Sequence, residues 1–204
     1  GEDLTRLEKI VSKHDLFILS DEVYEHIIFD EMTHYSVLKS EILRGKSFVV
    51  SSFGKTFHAT GWKMGYCLAP ENLMKEFRKI HQFMVFSCNT PIQFALAEFI
   101  EDENNYNGLG GFYQQKRDTF IKGLKGSKFK VLPCFGTYFQ LLQYETISKQ
   151  GDETFAEELT RVHKVASIPI SVFYPDREDE HILRFCFAKT DDLLNQATDI
   201  LCRI

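Results

Sequence analysis

Four groups of polar residues lie in or next to short apolar runs of this sequence, and their side chains are of types that do chemistry. They are Asp21 with Tyr24, Ser52 with Lys55, Lys63, and Arg184 inside the apolar run 181–187. Short continuous apolar runs are typical of strands buried on both faces of a parallel sheet. Ligands of such sheets bind just beyond the carboxyl ends of the strands. These residues are therefore candidates for a binding or catalytic site.

The stretch around Lys55, SSFGKTFHATGWKMG, contains the Gly-Lys-Thr that ends a nucleotide-binding P-loop. A P-loop also requires a glycine five positions before Gly54, so that backbone amides can surround the phosphates. This chain has Val49 there, inside an apolar run. Because a β-branched residue lacks the backbone freedom of glycine, we reject a nucleotide site. Lys55 needs another explanation.

Each candidate also has an ordinary structural explanation. Asp21 could cap the N-terminus of a helix that follows its strand, and Lys55 and Lys63 could be solvated surface lysines. Arg184 has mainly apolar neighbours, and a buried guanidinium needs an anionic partner. That partner could be a carboxylate of the protein or an anionic ligand. Taken one at a time, the residues leave these alternatives open.

Taken together, the candidates form a set that suits pyridoxal 5′-phosphate. A lysine amine forms a Schiff base with the aldehyde of this cofactor, and a carboxylate opposite the pyridine nitrogen keeps that nitrogen protonated. A phenol can donate a hydrogen bond to the ring oxyanion, while a hydroxyl and a second cation bind the phosphate. An arginine can bind the carboxylate of an amino acid with two parallel hydrogen bonds. The set therefore predicts amino acid chemistry.

Six segments carry a resemblance to a known family: SDEVYE, SFGKTFHATGWKMGY, FSCNTPIQFALAEF, LPCFGTYFQL, IPISVF and LRFCFAK. In this order they resemble the class I/II aminotransferases of the aspartate-aminotransferase fold, and within them the branch of methionine and kynurenine aminotransferases. The resemblance covers essentially the whole chain. It implies an enzyme that transfers an amino group from an L-amino acid of methionine, kynurenine or aromatic type to a 2-oxo acid.

The resemblance implies the roles of three residues around the cofactor ring. Asp21 pairs with the pyridine nitrogen, and Tyr24 bonds the oxygen of the ring hydroxyl. Lys55 forms the Schiff base. Once released, its amine moves a proton between the α-carbon of the substrate and the cofactor.

The resemblance also implies how phosphate and substrate are bound. Ser52 and Lys63 bind the cofactor phosphate, and Arg184 binds the substrate carboxylate. Many relatives have arginine at the position of Lys63, but the methionine and kynurenine branch shares the lysine, so we keep this role.

The apolar patterns predict an α/β fold. We expect strands over 16–19, 48–50, 64–68, 138–142 and 182–187, and helices over 2–14, 71–86, 90–100, 112–124, 154–165 and 191–202, with a loop over 104–111. The resemblance makes residues 1–105 the second half of a large domain of the type I fold of pyridoxal-phosphate-dependent transferases, with a mainly parallel sheet and flanking helices. Residues 106–204 then form a smaller α+β C-terminal domain.

The composition argues against several other classes of protein. With 204 residues, 44% hydrophobic and 26% charged, the chain is typical of globular proteins. Its net charge of -5 and scattered basic residues argue against nucleic acid binding, and no apolar run is long enough to span a membrane. Five widely spaced cysteines predict reduced thiols in a cytoplasmic protein, without a metal site.

The length departs from the family, because a member would have nearly twice as many residues. We therefore expect a chain that lacks an N-terminal half, binds the cofactor weakly by itself and is inactive, whereas the full-length protein is a homodimer. Two alternatives stay open: a related C–S β-lyase or decarboxylase on the same fold, and an inactive fragment unable to hold the cofactor. The amino acid and oxo acid substrates are also left open.

Overall fold

A computed structural model describes residues 1–204, which divide into two compact units. Unit 1 comprises residues 1–26 and 33–109, and unit 2 comprises residues 27–32 and 110–204. The segment 27–32 thus packs with the C-terminal residues although it lies early in the chain. The domain division at residues 105 and 106 stays a prediction.

Unit 1 contains six helices and a three-stranded sheet. Its elements are α1 (Glu2–His14), β1 (Ile18–Asp21), α2 (Glu41–Arg44), β2 (Ser47–Ser52), α3 (Phe53–Thr56), β3 (Gly65–Leu68), α4 (Glu71–Met84), α5 (Thr90–Phe99) and α6 (Asn104–Asn107). The strand order is β1-β2-β3, with β1 and β2 parallel and β3 antiparallel to β2. The α/β prediction is confirmed, and within these residues the sheet is mixed.

Helix α1 supports the sheet of unit 1 through its apolar stripe. Val11 is buried in a cluster with Val37, Leu43 and Val49, and Leu4 and Leu7 pack against this cluster from one helical turn to the next. The helix ends at Asp15, which adopts the left-handed conformation with φ 50°. The cluster fixes β2, because alternate residues of this strand are buried.

The first predicted strand differs from the observed one in position and burial. β1 covers Ile18–Asp21 instead of 16–19, and Leu16 and Phe17 precede it. Leu19, in the strand, is 73% exposed, and Phe17 is 70% exposed. The prediction of burial on both faces is therefore wrong for β1, because β1 has one strand neighbour and its Leu19 face is uncovered in these residues.

The predicted loop over 104–111 is wrong in part. The carboxylate of Asp102 accepts the backbone N–H of Asn104 at 3.0 Å and starts the short helix α6. Helix α7 (Leu109–Gly123) then begins inside the predicted loop. Its glycines 110 and 111 lie in the first turn, where the backbone N–H groups have no intrahelical partner in any helix. The cluster of Asn and Gly thus marks a helix start.

Unit 2 contains a four-stranded antiparallel sheet with helices. Besides most of α7, its elements are β4 (Lys130–Val131), β5 (Phe139–Gln143), α8 (Asp152–Arg161), β6 (Ile168–Pro169), β7 (Ile182–Cys186) and α9 (Asp191–Leu201). The strand order is β4-β5-β7-β6. Its core consists of fully buried residues that include Leu142, Tyr144, Phe155, Leu159, Leu183, Phe187 and Leu201.

The segment 27–32 is attached to unit 2 by a buried arginine. The guanidinium of Arg117, on α7, donates to both carboxylate oxygens of Asp30 at 2.5 and 2.8 Å and to the carbonyl of Cys134 at 2.7 Å. It also lies 4.9 Å from the ring centroid of Phe29. Bidentate, charge-assisted hydrogen bonds of this kind are strong and directional.

Among the helices of the chain, none has both the length and the apolar character that are needed to cross a membrane.

Candidate active site

The register of the sheet in unit 1 brings three candidate residues to one edge. Asp21, the last residue of β1, pairs with Val50, and Ser52, the last residue of β2, lies opposite Gly65, the first residue of β3. Lys63 precedes Gly65 by two residues. Because neighbouring strands are about 4.8 Å apart, this edge gathers a carboxylate, a hydroxyl and a cation within the width of a small cofactor.

Asp21 is exposed and is followed by a turn. One of its carboxylate oxygens accepts the backbone N–H of Val23 at 3.2 Å, and residues 23–26 form a turn without a helix. The alternative that Asp21 caps a helix is therefore wrong. Most of its hydrogen-bonding capacity is available to a ligand. Tyr24 lies in the same turn and is partly buried.

Glu22, next to Asp21, is a buried carboxylate that the sequence did not single out. It accepts the hydroxyl of Ser20 at 3.0 Å and the backbone N–H of Val37 at 3.1 Å, and His34 Nε2 lies 2.8 Å from its other oxygen. Burial raises the pKa of Glu22, but the hydrogen bonds, first of all with His34, outweigh burial and leave this pKa below its usual value. Glu22 thus fixes the strand end that carries Asp21. Its position beside Asp21 in SDEVYE was the available signal.

Lys55 lies on the short helix α3, directly after β2. Its side chain is partly buried, and its ammonium group has no hydrogen bond and no ion pair within the chain. Ser52 is the N-cap residue of α3, but its hydroxyl makes no capping hydrogen bond. Both polar groups are therefore available at the edge of the sheet.

Gly54 allows the chain to return close to α3. A Cβ at this position would lie 2.8 Å from the Cα of Thr60 and 3.2 Å from the carbonyl oxygen of Ala59. Both atoms belong to the backbone and cannot rotate away. The absence of a side chain at Gly54 thus sets the position of the neighbouring Lys55.

Lys63 closes the loop between α3 and β3. It is exposed, adopts the left-handed conformation with φ 55°, and ends a 3₁₀ turn that covers Thr60–Trp62. Its ammonium group has no ion pair within the chain. A left-handed non-glycine residue costs free energy, so the neighbouring structure must hold Lys63 in place.

Arg184 lies in unit 2, at the middle of β7, and has an unusual environment. Its guanidinium carbon is 4.3 Å from the ring centroid of Phe139 and 5.0 Å from that of Phe173. Its Nε is buried without a hydrogen-bond partner, and no carboxylate pairs with the group. The alternative of an internal carboxylate is therefore wrong. A planar cation held between two rings with an unsatisfied N–H is suited to an anionic ligand.

The residues present in unit 1 fit pyridoxal phosphate in their chemistry. Lys55 offers an amine without an internal partner, and Asp21 offers an exposed carboxylate. Ser52 and Lys63 offer a hydroxyl and a cation that make no side-chain hydrogen bond or ion pair within the chain. These are the groups that a cofactor with an aldehyde, a basic ring nitrogen and a phosphate requires.

Comparison with solved structures identifies the class of fold. The chain superposes with a TM-score of 0.95 on YbdL from Escherichia coli, a protein described as having a methionine aminotransferase function, at 45% identity and over 100% of this chain and 54% of that one. An N-succinyldiaminopimelate aminotransferase from Mycobacterium tuberculosis gives a TM-score of 0.91 at 30% identity, over 98% of this chain and 53% of that one. The fold is that of aminotransferases.

The chain belongs to the family of class I and II aminotransferases, which it matches over residues 2–201. This family uses pyridoxal phosphate. The methionine aminotransferase of Escherichia coli K12 is 46% identical over 200 residues, which are 98% of this chain and 52% of that protein. The kynurenine–oxoglutarate transaminase of Dictyostelium discoideum is 33% identical over 227 residues, covering 100% and 52%. The chain thus spans about half the length of these curated relatives.

Proposed function

We propose that the protein containing this chain is a pyridoxal-phosphate-dependent aminotransferase. It transfers an amino group from an L-amino acid of methionine, kynurenine or aromatic type to a 2-oxo acid. The observation that carries this proposal is the unpaired amine of Lys55 on α3, the helix that directly follows β2, while Asp21 ends the parallel neighbour β1. The similarity to a methionine aminotransferase over nearly the whole chain supports it.

The cofactor supplies an aldehyde that condenses with amines and a ring that accepts electrons from the substrate α-carbon. The residues of the chain bind and orient the cofactor and transfer the proton. Asp21 holds a proton at the ring nitrogen, and Tyr24 donates a hydrogen bond to the ring oxygen. Ser52 and Lys63 bind the phosphate and so fix the orientation of the ring. Lys55 Nζ would remove the proton from the substrate α-carbon as a general base and deliver it as a general acid to C4′, the cofactor carbon that carries the aldehyde.

Arg184 binds the α-carboxylate of the substrate. Its guanidinium can offer two parallel N–H donors to a carboxylate, and its Nε lacks a partner inside the protein. The rings of Phe139 and Phe173 hold the guanidinium plane and limit its rotation. The pose of the substrate then decides which bond of the α-carbon breaks.

The proposal extends to assembly and location. We propose a homodimer of the full-length protein in the cytoplasm. All five cysteines are free thiols, which supports a reducing compartment.

Replacement of Lys55 by alanine tests the proposal most directly. In the full-length protein, Lys55→Ala should remove the covalent bond to the cofactor, seen as a change in its visible absorbance and as loss of cofactor mass on the protein. The turnover should fall roughly 10²–10⁴-fold or more. Lys75→Ala, on the exposed face of α4, is the matched control and should change neither property. Covalent attachment that persists in Lys55→Ala would remove Lys55 from its role.

A substrate screen tests the reaction. The full-length protein should convert methionine, kynurenine, phenylalanine, histidine or glutamine in the presence of a 2-oxo acid. Release of pyruvate and ammonia from a cysteine conjugate, without amino transfer, would instead identify a β-lyase. The 204-residue chain by itself should bind the cofactor weakly and show no turnover, whereas wild-type turnover would contradict the expectation that it is inactive alone.

A further inference from the structure

The turn after β1 is tied to the sheet by a second carboxylate, Glu25. Its Oε1 accepts a hydrogen bond from the hydroxyl of Ser51 at 3.1 Å and another from the hydroxyl of Tyr66. Ser51 on β2 and Tyr66 on β3 are directly opposite each other in the antiparallel register. One carboxylate oxygen thus joins three segments of unit 1.

The cluster consists of Glu25, Ser51 and Tyr66, and its first two residues adjoin residues of the proposed cofactor site. Glu25 follows Tyr24 in the chain, and Ser51 precedes Ser52. Because successive residues of a strand point to opposite faces, Ser51 binds Glu25 on the face away from the Ser52 side chain. The cluster therefore lies behind the candidate site rather than in it.

The backbone alone does not hold this turn in place. The parallel ladder ends where the N–H of Glu22 donates to the carbonyl of Val50 at 2.9 Å. No backbone hydrogen bond joins residues 23–26 to β2 or β3, and the N–H of Glu25 donates within the turn, to the carbonyl of Glu22. The Glu25 side chain thus provides the hydrogen bonds from this turn to both strands.

Both partners of the Glu25 carboxylate in this cluster are hydroxyl donors. Burial, and next the hydrogen bond with Glu25, raise the pKa of Tyr66 to about 12, so this phenol stays a donor throughout the physiological range. The hydroxyl of Ser51 is buried with its residue. Two further titratable groups lie near the cluster: His26, whose Nε2 is 3.9 Å from Oε1, and Glu22, whose charge also raises the pKa of Tyr66.

We propose that Glu25 is a positioning residue, which holds Tyr24 at the edge of the sheet through hydrogen bonds with Ser51 and Tyr66. This proposal rests on the proposed function, because it assigns Tyr24 to the oxygen of the cofactor ring. Glu25 itself touches neither cofactor nor substrate. It acts by fixing the turn from which Tyr24 extends.

The test uses the full-length protein loaded with pyridoxal phosphate and follows the visible absorbance of the bound cofactor against pH. Loss of a hydrogen bond from Tyr24 removes stabilisation of the ring oxyanion, so Tyr24→Phe should raise the midpoint of the titration. Glu25→Ala should raise it in the same direction and weaken cofactor binding about 10-fold, the loss of one charge-assisted hydrogen bond. Added to Tyr24→Phe, it should shift the midpoint no further.

Two further variants separate positioning from folding. Glu25→Gln keeps an oxygen that can accept hydrogen bonds from both hydroxyls. Its titration midpoint and its affinity for the cofactor should therefore lie close to those of the wild type. Tyr66→Phe removes one donor with little change in volume and should give part of the Glu25→Ala shift. The control is Glu8→Ala in the same unit. Glu8 also accepts a hydrogen bond from a hydroxyl, that of Ser40, but it lies on α1, far in sequence from the residues of the candidate site. This variant should leave the midpoint unchanged.

Several outcomes would overturn the proposal. They are an unchanged midpoint in Glu25→Ala, additive shifts in the double variant with Tyr24→Phe, or an equal shift in Glu8→Ala. These results are distinct from failure of the proposed function, which is decided by Lys55→Ala. If Lys55→Ala loses the covalent cofactor and Glu25→Ala behaves as wild type, only the role of Glu25 is refuted.

Discussion

Replacement of Gly54 by alanine tests how backbone packing positions Lys55. The new Cβ would lie 2.8 Å from the Cα of Thr60 and 3.2 Å from the carbonyl oxygen of Ala59. Since both atoms are backbone, the loop must move by several tenths of an ångström. Overpacking of this kind costs about 1–3 kcal/mol. Alanine in place of glycine also stabilises the folded state by about 0.4–1 kcal/mol, because it lowers the conformational entropy of the unfolded chain.

From the middle of each range, the net loss of stability for Gly54→Ala is about 1.3 kcal/mol, which corresponds to a fall in Tm of roughly 3–5 °C for a chain of this size. The matched control is Gly61→Ala in the same loop, where a Cβ meets nothing within 4 Å. The new Cβ makes no clash, and alanine lowers the conformational entropy of the unfolded chain. The stability of Gly61→Ala should therefore be unchanged or higher by up to about 1 kcal/mol. The two substitutions should therefore act in opposite directions.

Urea unfolding and thermal melting measure both variants. In the full-length protein, Gly54→Ala should also weaken cofactor binding, because Lys55 moves with the loop, whereas Gly61→Ala should not. If Gly54→Ala is as stable as Gly61→Ala and binds the cofactor normally, the close approach at Gly54 has no energetic role and the reasoning is refuted.

Three other predictions concern charged groups. Arg184→Lys should raise KM for the amino acid with little loss of stability, because no carboxylate pairs with the guanidinium and a lysine ammonium can also lie over the rings of Phe139 and Phe173; steady-state kinetics with an unchanged melting curve would agree, and an unchanged KM would not. The lowered pKa of Glu22 means that its stabilisation is present above the unfolded value near 4.3 and is lost as pH falls through the folded value. The stability of the wild type should therefore fall more steeply with decreasing pH than that of Glu22→Gln, which lacks this titrating group; an equal slope in the two proteins would exclude Glu22. Arg117→Met should destabilise the chain by roughly 2–3 kcal/mol in urea unfolding, since it removes charge-assisted bonds to Asp30, and a loss below about 0.5 kcal/mol would contradict a structural role.

The sequence predicted the elements that carry a strong periodic signal. Helix α1 has the predicted bounds, and α9 and β7 differ from prediction by one residue at the C-terminal end. The sequence failed at β1 and at residues 104–111. Leu16 and Phe17 continue the apolar run but lie outside the strand, and the Asn and Gly residues that indicate a loop instead begin helices. An apolar residue or a glycine only makes a strand or a loop more favourable locally. The contacts with neighbouring parts of the chain determine which structure forms.

The sequence by itself determined the chemistry available to this protein. The order of Asp21, Ser52, Lys55 and Lys63 around short apolar runs was enough to predict a cofactor with an aldehyde and a phosphate. Only the tertiary structure decided which of these groups are free to act. It showed that Lys55 and Arg184 have no carboxylate partner within the chain, and that Glu22 and Glu25 accept hydrogen bonds from other residues of unit 1. The physical reason is that a side chain's partners come from distant parts of the chain, such as Val37 for Glu22 and Tyr66 for Glu25. The spacing of residues along the sequence does not predict those contacts.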